Sequence, residues 1–130
     1  MKMYGYKKKL DLKYDDAIIK TKEELKKEGF GVLTEIDVKA TLKKKLDVDF
    51  DKYIILGACN PPFAQKALER EEDVGLLLPC NVIVYEAKGS VFVAAVKPTV
   101  AMQAVENPAL AAIAAEIEGK LVRVIDAVSA

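Results

Sequence analysis

The chain has 130 residues, in which 20 basic side chains balance 20 acidic ones and 52% of residues are hydrophobic. This size and balance suit a single globular domain over residues 1–130, and the overall charge holds nothing to attract a polyanion or an anionic membrane. Histidine is absent, which excludes Ser-His-Asp and Cys-His catalysis and any histidine-ligated metal site.

The opening residues, MKMYGYKKKLDLKYDD, hold no apolar stretch of signal-peptide length, and no later run reaches the length of a membrane span. A cytoplasmic protein is expected. In that reducing setting its two cysteines read as thiols. Lys2–Leu12 alternates as a half-buried first strand. Tyr14, Ile18 and Leu25 then share a helical face; Asp15 and Asp16 suit its start, Lys26 and Lys27 its last turn, and Gly29 its stop. Phe30–Asp37 returns to a period of two, which predicts a second strand with Phe30, Val32, Thr34 and Ile36 on one face.

Asp37 is placed to cap a short helix with Val38, Leu42 and Leu46 at four-residue spacing, followed by a polar turn at Asp47–Asp51. Tyr53–Cys59 is apolar on both faces, as an interior strand is. Asn60-Pro61 is a strong helix start, because Asn caps well and Pro at the first position has no amide hydrogen to leave unpaired. The helix is predicted over Pro61–Arg70, packed through Ala64, Ala67 and Leu68. Leu76–Glu86 and Ser90–Val96 flank Ala87-Lys88-Gly89 as a hairpin. After a helical turn near Val100–Val105, Asn107-Pro108 repeats the cap signal. Leu110, Ile113, Ile117, Leu121, Val124 and Val128 then form the seam of a long C-terminal helix, with Gly119 as a local weakness. This helix is apolar enough to need a groove of the sheet or a second subunit. The basic clusters Lys7–Lys9 and Lys43–Lys45 read as a solvated strand end and helix face, and no nucleic-acid or membrane partner is expected.

Both cysteines lie in the two most unusual stretches, YIILGACNPPFA (Tyr53–Ala64) and GLLLPCNVIVYE (Gly75–Glu86). If the third and fourth strands pair antiparallel, Cys59 comes toward Cys80, and the helix start after Cys59 would favour a thiolate. The blander alternative is that both act as small core hydrophobes, and it is preferred for catalysis. Two thiolates alone leave a tetrahedral metal site half filled, so no metal or other cofactor is expected. Asn60 and Asn81 follow the cysteines and could orient a ligand. Pro61 and Pro79 are structural first, Pro79 implying a bulge or an edge. Glu35, Asp37 and Glu86 suit strand edges, and the tyrosines Tyr4, Tyr6, Tyr14, Tyr53 and Tyr85 suit the core.

The sequence resembles domain-of-unknown-function family 302, a widespread prokaryotic family. The likeness is carried by Gly29-Phe30 with Glu35-Ile36-Asp37, by Ile55-Leu56-Gly57-Ala58-Cys59-Asn60-Pro61 with Ala64 and Leu68, and by Gly75-Leu76-Leu77-Leu78-Pro79-Cys80-Asn81-Val82. Asp47 stands where the family often has glycine, and Lys97 where an acidic residue is common. The resemblance implies an α+β fold, a curved antiparallel sheet backed by helices on one side in the manner of the TATA-binding-protein-like fold, and a tendency to form homodimers. It implies no established activity. The residues by themselves predict the element order strand, helix, strand, helix, strand, helix, strand, strand, helix.

Taken together these readings describe a non-catalytic small-ligand-binding or interaction module acting as a homodimer. A site for a small apolar ligand is expected near Cys59, Asn60, Pro61, Pro79, Cys80 and Asn81. The rival is a thiol-dependent redox or sulfur-handling protein using Cys59 and Cys80, and a purely structural subunit is a third possibility.

Overall fold

The computed structural model describes residues 3–129. Strands β1 (Gly5–Leu10), β2 (Gly31–Asp37), β3 (Tyr53–Cys59), β4 (Cys80–Ala87) and β5 (Ser90–Val96) form one open antiparallel sheet in the order β1-β5-β4-β3-β2. Helices α1 (Tyr14–Lys27), α2 (Val38–Leu46), α3 (Pro61–Arg70), α4 (Pro98–Ala101) and α5 (Pro108–Ala127) complete the α+β fold. The Lys2 end of the expected first strand lies outside the described residues.

Helix boundaries follow local chemistry. Asp37 accepts the Ala40 amide at 2.9 Å to start α2, and Asn107 accepts the amides of Ala109 and Leu110 to start α5. Gly29, at φ 87, lets α1 stop: the Phe30 amide reaches back to the Leu25 carbonyl at 3.0 Å. Asp47 ends α2 in the same left-handed region, at φ 53, a conformation glycine adopts without a Cβ penalty. Lys88 and Gly89, both with positive φ, make the two-residue hairpin turn that joins β4 to β5.

The core lies between one face of the sheet and the helices. Ile54, Leu56 and Ala58 of β3, Cys80, Val82 and Val84 of β4, and Val91, Val93 and Ala95 of β5 are all buried. Above them, α1 packs over β2, β4 and β5 with Ala17, Thr21 and Leu25, and α5 packs over β1 and β5. Leu110, Ala114, Ile117, Leu121, Val124 and Ile125 form the buried stripe of α5, with α3 and α4 against it. The groove of the sheet, rather than a second subunit, therefore takes this helix.

Four expectations are corrected. A bulge between Val32 and Thr34 pairs Val32 with Ala58 but Thr34 with Gly57, so Val32 and Ile36 fall on opposite faces; the extra residue, Leu33, is 68% exposed. The strand expected from Leu76 begins at Cys80, because Glu72–Leu77 turns as a 3-10 helix that leaves Leu76 87% exposed. Pro79 therefore stands before the strand rather than within it. In α3 the buried residues are Phe63 and Ala67, while Leu68 faces out. Tyr4 is exposed, and Tyr53 and Tyr85 are only half-buried, so these tyrosines are not core residues.

Candidate functional site

Alternation along the strands gives the sheet a second face that α1 and α5 leave open. Cross-strand pairing sets out its rows. Ile36 lies beside Ile55, Ile55 beside Ile83, Ile83 beside Ala94 and Ala94 beside Lys7. In the next row Tyr53 pairs with Tyr85, Tyr85 with Phe92 and Phe92 with Lys9. The rings in that row stack on one another, with centroids 5.2 Å apart for Tyr53 and Tyr85 and 5.3 Å for Tyr85 and Phe92. Phe50 meets Tyr53 edge-on, and the Lys7 ammonium lies 5.3 Å over the Phe92 ring. Burial raises the Tyr53 hydroxyl pKa, with Tyr85 and Tyr4 adding to the effect.

Toward the start of β4 this face narrows to small residues. Gly57 lies between Thr34 and Asn81 in neighbouring strands, and a Cβ there would collide with Thr34 Oγ1 and come within 2.9 Å of the Pro79 ring. Glycine is needed because Thr34 Oγ1 and the Pro79 ring both stand where a Cβ would go. Beyond it Cys59 pairs with Gly31 on the open face and is half-buried.

The predicted site residues do not gather in one place. β3 and β4 are antiparallel neighbours as expected, but the register sets Ala58 against Cys80. One residue along, Cys59 belongs to the open face and Cys80 to the core. Both are free thiols. Burial, and secondarily Cys59, pushes the Cys80 thiol from 9.0 up to about 11, which keeps it protonated and unreactive at neutral pH. Both polar atoms of the Asn60 side chain have partners: Oδ1 accepts the Phe63 amide and Nδ2 donates to the Glu28 carbonyl at 3.2 Å, tying the start of α3 to the end of α1. Pro61 is exposed at the first turn of α3, and Asn81 is exposed on the open face. Glu35 and Glu86 pair with Lys22 and Lys52, while Asp37 serves as a cap.

Sequence reasoning passed over two features. The first is the open face, whose signal was the apolar residues on both sides of Tyr53–Cys59, read only as the mark of an interior strand. The second is a cleft of about 360 Å³ where α1 ends and α3 begins, closed on its far side by α5. Of the predicted site residues only Asn60 borders it; the others in its wall include Glu28, Phe63, Lys66, Ile113, Glu116, Ile117 and Lys120. No sequence motif marks these, since they come together from three helices. Among the described residues no three His, Cys, Asp or Glu side chains gather as a metal site, and no helix is long and apolar enough to cross a membrane.

An open five-stranded antiparallel sheet with α1 and α5 packed on one of its faces defines the structural class. The chain belongs to the family described as "Domain of unknown function DUF302", whose sequence pattern matches residues 6–128. It is similar in structure to an uncharacterized conserved DUF302 protein from Bacillus stearothermophilus known from a crystal structure. The TM-score is 0.93 and the sequences are 35% identical, over 98% of this chain and 99% of that one. No curated protein matches the chain.

Proposed function

We propose that the protein is a non-catalytic, cytoplasmic interaction module that acts as a homodimer, two copies meeting through the open faces of their sheets. The observation that carries this reading is the make-up of that face. Ile36, Ile55, Ile83, Tyr53, Tyr85 and Phe92 lie side by side in it, and the two charged residues in these rows, Lys7 and Lys9, are confined to the β1 edge. Contiguous apolar surface of this kind is rare on a monomer and common in self-association. Two such sheets pack face to face with their side chains interdigitated.

The stacked rings support this reading over one in which nucleic-acid bases lie on the sheet. Tyr53, Tyr85 and Phe92 already present their faces to one another, leaving edges toward solvent. The thiol-dependent alternative would have to rest on Cys59 alone, because Cys80 is buried and its thiol pKa is raised.

Ile83 lies in the middle strand of the sheet, so Ile83→Glu places a charge at the centre of the interface and in water in the separated subunit. Light scattering on the full chain is expected to give twice the monomer mass for the native protein and the monomer mass for Ile83→Glu, with unchanged circular dichroism. A native protein that is monomeric at micromolar concentration, or an Ile83→Glu variant that still dimerises, would overturn the reading.

A further inference from the structure

The cleft between α1, α3 and α5 is built differently from the sheet face. Its floor is apolar, formed by buried Phe63 and Ile117 and half-buried Ile113. Its rim is charged. Glu28 is already held by Arg123, whose Nε and Nη2 donate to Oε1 at 3.2 and 3.1 Å. That leaves Lys66 on α3, and Glu116 and Lys120 on α5, none of which has an ion-pair or hydrogen-bond partner from its side chain among the described residues. Two unpaired ammonium groups on facing helices against one carboxylate give the mouth a net positive charge of one. The start of α3 adds no free amide to bind an anion. Pro61 and Pro62 have none, the Phe63 amide is taken by Asn60 Oδ1, and the Ala64 amide by the Asn60 carbonyl.

We propose that this cleft binds a small carboxylate with an apolar body, the body against Phe63, Ile113 and Ile117 and the carboxylate held by Lys66 and Lys120. A volume of about 360 Å³ falls at the small end of the range for ligand sites. A monoanion matches the net charge of the rim. A phosphate ester carries more charge than the rim balances with Glu116 present, and finds neither arginine nor a cradle of free amides. The two lysines outweigh Glu116 and favour an anion, so affinity should divide into an apolar part shared by neutral analogues and an ionic part that they lack. The cleft lies on the helical side of the molecule, and the proposal does not depend on dimerisation through the open face.

The test is a titration of the isotopically labelled full chain with octanoate, followed by backbone amide shifts, with octanol and octylamine as neutral and cationic controls. Saturable shifts are expected at Phe63, Lys66, Ile113, Ile117 and Lys120. Octanoate should bind more tightly than octanol, and octylamine most weakly. The double variant Lys66→Gln/Lys120→Gln, altered only at solvent-facing side chains, should weaken octanoate by about tenfold while leaving octanol unchanged. Ile113→Trp, which fills the floor, should weaken octanoate and octanol together. Equal affinity for octanoate and octanol, unsaturable shifts, shifts centred on the open sheet face, or no response to the double substitution would each overturn the proposal.

Discussion

The two faces of the sheet are built from the same strands and nearly the same residue types, yet they have different fates. Leu56 and Val82 point under the helices and are fully buried, while their chain neighbours Ile55 and Ile83 point the other way and stay half-exposed. Hydrophobic content does not distinguish them. What does is whether a helix packs above, since burial adds to the folding stability of the single chain only where that chain itself removes the surface from water. The covered face is a folding core, and the open face has the composition of a core without its cover.

The largest effect expected from this contrast comes from substituting adjacent residues. Leu56→Ala should cost about 2–5 kcal/mol in urea unfolding, because it leaves a cavity under the helices. Ile55→Ala should cost less than about 1.5 kcal/mol in dilute protein and act mainly on self-association. Equal losses at high dilution would show that the open face is part of the folding core after all.

A second distinction is electrostatic. Cys80 belongs to the covered face, and its raised pKa means that the folded state holds its proton more tightly than the unfolded chain does. Stability from this source is complete below pH 9.0 and is lost as pH rises toward about 11. The shift corresponds to roughly 2–3 kcal/mol. The native protein should therefore lose that much more stability than Cys80→Ala over this interval, as read by denaturant unfolding at each pH. Parallel pH profiles would show that the thiol is not desolvated.

The smallest effect sharpens the contrast within the open face itself. Gly57→Ala adds a methyl group against Thr34 and the Pro79 ring, and should cost about 1–3 kcal/mol although it lies on the face opposite α1 and α5. A neutral substitution would mean that Pro79 moves freely off β3. Thermal unfolding of the variant at low concentration separates this cost from any effect on dimerisation.

Legibility in the sequence followed the range of the interaction. The Asn60-Pro61 and Asn107-Pro108 caps, the Gly29 stop and the Lys88-Gly89 turn are decided within a few residues, and each is found where the local pattern puts it. The bulge at Leu33 was not legible, because alternation read through Val32, Thr34 and Ile36 counts residues in one strand and cannot see how its partner is registered. Nor were the directions of the two cysteines. Their proximity in paired strands followed from the topology, but a single step of register set them on opposite faces.

By itself, then, the sequence determined the order and nearly the limits of the secondary structure, the family and the absence of histidine chemistry. Each rests on local backbone preference or on composition. Only the tertiary structure decided which apolar face was covered, that Asn60 ties α1 to α3, and that Lys66 and Lys120 reach one cleft. Those outcomes depend on helices far apart in the chain packing against one another, and the energy of such packing is not written in any short stretch of residues.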